Sequence, residues 1–415
     1  MLNKNRPLRI MLVTEYFPPE IGAGSTRAYE LARRWTQRGA EVTVVTGFPD
    51  YPDGVIPESY RGYFLLREKM NSINVVRTYI YAAPNKGFLK RSISYFSFMF
   101  SSIIQGTSAT KKQDLLVASS PPFLVGVAGY VISRLKRIPF VFEVRDIWPA
   151  SIVQLGQIKN KMITRLLEWM ELFLYRQAVK VVCVTDSFVK DIKSRGIPES
   201  KMTVIKNGVD LVFFKPDSLN TQLQNQLNLR GKTVVSYIGT HGLSHALDKI
   251  LDAASLLNNH KNIIFLFIGD GAEKEKLIKK SELLKLHNVK FLNSVEKSEL
   301  SKYYSISDIL LVPLRGIPLF KTVIPSKIFE IMAVQKPILL SVDGESRQIV
   351  EEAGAGLFVE PENPADLRDK ILELVANPAK VKKMGENGRL YVEKYFDRNR
   401  LADRYLDLVE SIVNM

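Results

Sequence analysis

Ile324-Pro325-Ser326-Lys327-Ile328-Phe329-Glu330-Ile331-Met332-Ala333-Val334-Gln335-Lys336-Pro337 is the most informative run in this chain of 415 residues. Pro325 ends an extended segment and Ser326 offers a hydroxyl to a free backbone N–H, which predicts a helix start. Pro337 cannot extend that helix. Ile328, Ile331 and Met332 recur at helical spacing for a buried face, while Lys327 and Glu330 share the other. Pro325, Ser326 and Lys327 thus stand where free N–H groups and a mobile ammonium receive a phosphate. Glu330 sits roughly 4.5 Å further along the axis. A carboxylate only accepts hydrogen bonds, so it suits a ribose better than a second phosphate. Phosphate at the start and sugar one turn on is the outline of a nucleotide diphosphate. An amphipathic helix with two solvated charges is the plainer reading of the run taken alone.

Around it, short β-rich runs alternate with longer helical patterns, which argues for parallel sheets built from βαβ units. Strands are expected at 8–13, 41–46, 74–78, 114–118, 139–144, 180–184 and 202–205, and the pattern restarts at 233–238, 263–268, 289–292, 309–312, 337–341 and 357–359. The reading is α/β, with two doubly wound, Rossmann-like domains facing each other across a cleft. They are expected at 1–210 and 232–390, joined by a polar linker at 211–231, with a terminal helix at 391–415 packing back on the first. Ligands of doubly wound sheets bind at the carboxyl ends of the strands.

Composition narrows the class. With 46% hydrophobic residues and a mean hydropathy of −0.02, the chain reads as a soluble globular protein. The polar start leads straight into a strand and does not read as a signal peptide. The single cysteine, Cys183, lies in an apolar run and gives no disulfide frame, and the four histidines lack zinc spacing, so a reducing cytoplasm fits. Charge is uneven: residues 1–210 hold 30 Lys and Arg against 17 Asp and Glu, whereas 211–415 hold 28 against 26. The first half therefore faces something anionic, phosphate groups, an acidic membrane surface or nucleic acid, although plain solvation of the surface also accounts for much of the excess. Nothing resembles a nucleic-acid-binding motif, and nucleic acid is set aside. Residues 92–110 carry no charge, but serines dilute the run too much for a spanning helix. It reads first as a buried or interdomain helix, and in the alternative as an interfacial one anchored by Lys90 and Arg91 before it and Lys111 and Lys112 after it.

Three loops at strand ends carry candidate chemistry. After the first strand, Tyr16-Phe17-Pro18-Pro19 leads to Gly22 and Gly24, which let backbone approach a phosphate ahead of a helix expected at 26–38. After 139–144 come Glu143, Arg145 and Asp146, followed by Trp148-Pro149, where residues facing a cleft belong. In the second half, Gly239-Thr240-His241-Gly242-Leu243-Ser244-His245 occupies the phosphate-loop position, with His245 able to donate from a helix start. The next strand ends in the tight turn Gly269-Asp270-Gly271.

In this order the elements resemble the retaining glycosyltransferases of family 4, which share the GT-B fold. The resemblance rests on Gly22 and Gly24, Ser119-Ser120-Pro121-Pro122, Arg145-Asp146-Ile147-Trp148-Pro149, Asn207-Gly208-Val209-Asp210, Gly269-Asp270-Gly271 and Pro325 to Pro337. The nearest likeness is to bacterial members that build capsule, O-antigen or colanic-acid units, including L-fucosamine transferases. It implies a donor, UDP-linked, held through Glu330, Ser326, Pro325, Thr240, His245, Gly239, Gly22 and Gly24, with Glu330 on the ribose. It implies an acceptor, a polyprenyl-diphosphate-linked saccharide, met by Glu143, Arg145 and Tyr16 at the inner face of the cell membrane. Lys327, Asp146 and Arg145 are the expected catalytic residues. The family's second glutamate is replaced by Thr322, and its histidine before Asp146 by Arg145. The implied front-face mechanism needs no protein nucleophile, and no Asp-x-Asp element is present, so no metal or other cofactor is expected. A sugar-nucleotide epimerase and a non-catalytic nucleotide-binding scaffold are the competing readings.

Overall fold

The computed structural model describes residues 6–20, 22–50, 54–83, 88–150, 153 and 160–414. Residues 1–5 of the polar start and Ile21 beside Gly22 lie outside them. The chain folds as two α/β units: the first takes 1–207 and 399–415, the second 208–398.

The first sheet contains β1 (Arg9–Val13), β2 (Glu41–Gly47), β3 (Leu65–Met70), β4 (Ile73–Thr78), β5 (Leu115–Ser119), β6 (Phe140–Val144), β7 (Lys180–Cys183) and β8 (Met202–Val204). Their order is β3-β4-β2-β1-β5-β6-β7-β8, parallel throughout except for the edge pair β3 and β4. Apolar runs such as that of β5 are buried on both faces, because helices cover both sides of the sheet. α1 (Ala23–Gln37) covers one face. On the other, α2 (Phe88–Ser108), α3 (Leu124–Lys136), α4 (Lys161–Gln177) and α5 (Asp186–Ser194) send Phe98, Ile132, Leu174 and Phe188 into one core with Met11, Leu116 and Phe142. Strand order reverses between β1 and β5, so the loops after these two strands diverge and open a crevice there.

The second sheet contains β9 (Thr233–Ile238), β10 (Ile263–Ile268), β11 (Val289–Leu292), β12 (Ile309–Pro313), β13 (Ile338–Ser341) and β14 (Gly356–Phe358). The order β11-β10-β9-β12-β13-β14 is parallel throughout and reverses between β9 and β12. Its helices are α6 (Thr221–Gln226), α7 (Leu247–Leu256), α8 (Lys274–Leu283), α9 (Leu300–Ser305), α10 (Lys327–Ala333), α11 (Glu345–Ala353), α12 (Pro364–Val375) and α13 (Pro378–Tyr395). One further helix, α14 (Arg398–Asn414), belongs to the first unit.

Several expected boundaries move. The stretch 211–231 is not a free linker: Phe214 and Leu229 are buried in the second core, and Asn220 caps α6 by accepting from the Leu223 N–H at 2.9 Å. Polar composition masked two anchoring side chains. Residues 391–395 finish α13, and only α14 returns to the first unit. There Trp35 of α1 meets Tyr405 edge-on at 5.2 Å, and Arg34 forms a bidentate pair with Asp403. α1 begins at Ala23, so Gly22 is its capping residue and Gly24 lies in its first turn rather than ahead of it.

Candidate active site

In the second unit, the expected donor residues gather where the strand order reverses. α10 is a single short helix, and Ser326 already has helical dihedrals (φ −59°, ψ −24°). Its hydroxyl makes no cap, contrary to expectation; its carbonyl instead accepts from the Phe329 N–H at 3.1 Å. The Pro325 carbonyl accepts from the Ile328 N–H at 3.1 Å, which tightens the same turn. This turn lays the Lys327 side chain across Gly239 at the end of β9. A Cβ on Gly239 would collide with Lys327 Nζ and stand 2.5 Å from its Cε and 3.3 Å from the Tyr237 hydroxyl. Only glycine leaves room for the ammonium to cross the backbone there. Among the described residues no hydrogen bond holds that ammonium. Burial lowers its pKa, and the nearby Glu330 carboxylate works against that shift. An anion arriving beside Lys327 restores the charge that burial penalises.

Glu330, on the same helix, accepts from the Tyr304 hydroxyl at 3.1 Å through Oε2. Tyr304 is fully buried, so one carboxylate oxygen of Glu330 is fixed by a buried hydroxyl. Thr240 is exposed, with its carbonyl held by the Tyr237 hydroxyl at 2.7 Å. His245 packs 5.8 Å from the Tyr237 ring, and burial and then the charge of Lys327 lower its pKa. The glycine turns are needed for contact between loops: a Cβ on Gly269 would strike the Gly239 carbonyl, and Gly271 presses on the backbone of His241. Lys274 ties this region together by donating to the Gly269 and Leu292 carbonyls and to Asn293 Oδ1, at 3.0, 3.2 and 2.8 Å.

In the first unit, Tyr16, Gly24 and Arg145 converge at the reversal between β1 and β5. A Cβ on Gly24 would lie 3.5 Å from Arg145 Nη1 and 3.6 Å from Tyr16 Cδ2. Gly22 faces open space. The Arg145 N–H donates to Ser120 Oγ, whose hydroxyl donates to the Glu143 carbonyl, so the ends of β5 and β6 hold the arginine in place. Burial pulls the Arg145 guanidinium down to about 10, against the pull of Glu143, and its Nε has no hydrogen-bond partner among the described residues. Asp146 lines a small hollow with Trp148, Phe123 and Tyr175. Glu143 is a correction. It is completely buried, with Arg27 donating to Oε1 through Nε and Nη2 at 3.1 and 2.8 Å and Ser119 donating to Oε2. It anchors α1 to β6 and offers no open atom to an acceptor.

Two features were missed from sequence. Glu15, Glu20 and Asp50, from the ends of β1 and β2, form a buried acidic group beside Tyr16. Burial and then the charge of Asp50 push Glu15 well up, and burial brings Asp50 to about 6. Distant in sequence, they meet only because β1 and β2 are neighbours. His241 is fully buried, neither ring nitrogen has a hydrogen-bond partner among the described residues, and burial holds it down to about 4. A histidine between Thr240 and Gly242 gave no signal of burial. A shallow concavity of about 950 Å³ near Ala40, Asn74 and Lys111 lies at the amino-terminal edge of the first sheet, away from these groups.

Residues 24–213 match the family described as Glycosyltransferase Family 4, and residues 220–391 match Glycosyl transferases group 1. The putative colanic acid biosynthesis glycosyl transferase WcaI of Escherichia coli is 23% identical over 411 residues, covering 96% of this chain and 99% of that one. The N,N'-diacetylbacillosaminyl-diphospho-undecaprenol alpha-1,3-N-acetylgalactosaminyltransferase of Campylobacter jejuni is 22% identical over 290 residues, covering 69% of this chain and 74% of that one. Among solved structures, HepE of Anabaena in complex with UDP and glucose superposes with a TM-score of 0.73 at 18% identity, over 97% of this chain and all of that one. Two doubly wound sheets, each with its strand order reversed at the glycine loop, and two family matches in succession place the chain among the glycosyltransferases of the GT-B fold, with a family 4 domain ahead of a group 1 domain.

Proposed function

We propose that this glycosyltransferase moves a sugar from a UDP-linked donor to a polyprenyl-diphosphate-linked saccharide, with retention of anomeric configuration, during assembly of a bacterial surface polysaccharide. The observation that carries the reading is the Lys327 ammonium lying over Gly239 without a protein partner among the described residues, one turn from a half-engaged Glu330. In this reading Lys327 faces the leaving diphosphate and Glu330 accepts from the ribose hydroxyls. Thr240, His245 and the turn Pro325-Ser326 surround the phosphates. As the bond from the anomeric carbon to phosphate oxygen breaks, the acceptor hydroxyl adds to the same face of the sugar and its proton passes to the departing phosphate. The charge growing on that phosphate falls to Lys327 rather than to a metal ion.

On the acceptor side the reading uses Arg145 and Tyr16, joined by the carboxyl groups of Glu15 and Asp50, both of which burial pushes up from the ordinary carboxylate range. The names of WcaI and of the Campylobacter enzyme, and the UDP bound to HepE, support the acceptor and donor classes. The test is incubation of the purified chain with a panel of UDP-sugars and a short polyprenyl-diphosphate disaccharide. UDP release that depends on acceptor, with an α-configured product from an α-configured donor by NMR, is expected. UDP release without acceptor, or donor isomerisation without transfer, sinks the proposal in favour of an epimerase. Nucleotide binding without turnover on any pairing leaves a scaffold.

A further inference from the structure

β3 and β4 form an antiparallel pair whose partners Leu65 and Thr78 stand at the carboxyl end of β4, the edge at which a parallel sheet meets its ligands. Beyond them Phe64 and Tyr79 stack, with ring centroids 5.5 Å apart and planes 28° from parallel. Two residues on, Tyr81 shares the side of Tyr79, because Ile80 between them is buried in the core. Phe64, Tyr79 and Tyr81 are exposed by 73%, 39% and 40%. Their backbone is fixed by the serines that dilute the apolar run of α2. Ser101 donates to the Tyr79 carbonyl, and Ser97 Oγ accepts from the Tyr81 N–H at 2.7 Å while donating to the Ser94 carbonyl at 2.7 Å. Aromatic rings held open to solvent on a pinned backbone are a surface prepared for contact.

Two observations identify the occupant. The strip is uncharged: residues 62–64 and 79–83 hold no Asp, Glu, Lys or Arg, and Glu58 and Arg61 ahead of it pair with each other at 3.9 Å. A phosphate finds no counter-charge on it. The strip is also continuous with the groups placed on the acceptor side. Arg77 of β4 donates to the Pro18 carbonyl at 2.5 Å, and the Ala83 N–H donates to Asp50 Oδ2 at 3.2 Å. A pyranose has a face of C–H groups and a rim of hydroxyls. Its C–H face seats on the negative face of an aromatic ring, and its rim meets the phenol hydroxyls. We propose that Phe64, Tyr79 and Tyr81 form a second saccharide subsite, which stacks a neutral sugar ring of the acceptor beyond the ring that reacts. Ser97 and Ser101 are its positioning residues. The inference rests on the reading of this chain as a saccharide transferase and adds that the acceptor is longer than one sugar.

Saturation-transfer NMR on the full chain tests it, with soluble saccharides and neither nucleotide nor lipid. The probes are maltotriose, cellotriose, chitotriose and mannotriose, each beside its own monosaccharide. At least one trisaccharide should bind about tenfold more tightly than its monosaccharide, with saturation strongest on the C–H protons of one ring face. The double variant Phe64→Ala, Tyr79→Ala should bind that trisaccharide about tenfold more weakly, whereas Tyr79→Phe, which keeps the ring, should stay within about twofold of the parent. Tyr81→Ala alone should also weaken binding, which keeps the test decisive if the double variant is unstable. No trisaccharide binding by the parent, or equal binding by the parent and the alanine variants, overturns the proposal. So does vesicle flotation that the double variant loses in a chain that binds no saccharide, since the strip then belongs to a bilayer. Saccharide binding without any transfer leaves the subsite standing and sinks the transfer reading; transfer without saccharide binding does the reverse.

Discussion

In the proposed reading Lys327 and Glu330 divide the donor between charge and hydroxyls, and each role has its own kinetic signature. Glu330→Gln keeps the size and the Tyr304 contact but removes the charge that strengthens hydrogen bonds, so UDP affinity should fall by about 1.5–3 kcal/mol in calorimetry. Unchanged affinity removes Glu330 from the ribose. Gly239→Ala acts on Lys327 indirectly, because the new methyl occupies the path of the ammonium. It should cost kcat about tenfold to a hundredfold, since charge on the departing phosphate peaks in the transition state. A raised KM at constant kcat would mean that Lys327 serves the ground state only. Asp50 makes a prediction in pH. Its folded pKa of about 6 exceeds the ordinary 3.8, so the folded chain holds more protons than the unfolded one between these values. Stability of the first unit should therefore be highest below about pH 4 with respect to this group and fall as pH rises through 6, by on the order of 2–3 kcal/mol. Asp50→Asn should flatten that slope. All three tryptophans, Trp35, Trp148 and Trp169, lie in the first unit, so fluorescence-detected urea midpoints report it alone.

At the level of elements, the parallel strands were legible because burial on both faces writes them as apolar runs, as in Ile263-Ile264-Phe265-Leu266-Phe267-Ile268. β3 was not, because Leu65-Leu66-Arg67-Glu68-Lys69-Met70 is a half-exposed edge whose charges resemble a loop. The placement of Lys327, Glu330 and Gly239 was legible because a proline-bounded helix start and a glycine after a readable strand are both local signals, and the fold brings Lys327 against Gly239. Orientation was not legible. Arg91, an anchor beside Lys90 only in the interfacial reading of 92–110, donates to the Tyr95 hydroxyl at 2.7 Å, and Glu143 points inward to Arg27. A charge beside a strand end looks the same in sequence whether it faces ligand or core. Glu143→Ala separates the two roles: leaving Arg27 buried without its partner should destabilise the first unit by about 3–5 kcal/mol in urea titration. A loss of acceptor affinity with unchanged stability would restore Glu143 to the acceptor site.

For the whole molecule, the return of α14 matters most. Leu401, Tyr405, Leu406 and Val409 are buried in the core that holds Trp35, Leu12 and Val44. At about 1.5–3 kcal/mol for each large buried side chain, their removal is comparable with the whole stability of a domain. A chain ending at residue 398 should therefore lose the cooperative tryptophan-detected transition of the first unit while retaining UDP binding by the second. A truncated protein that melts like the parent would show that α14 is dispensable. The same arrangement sets a schedule for synthesis. Residues 208–398 must leave the ribosome before the helix that covers Trp35 exists, and 191 residues separate the two parts of the first unit. At about 5–20 residues per second that is a delay of roughly 10–40 s. Throughout it a nascent apolar surface waits uncovered, an opening for chaperones and for aggregation that closes only when the last turn of α14 emerges.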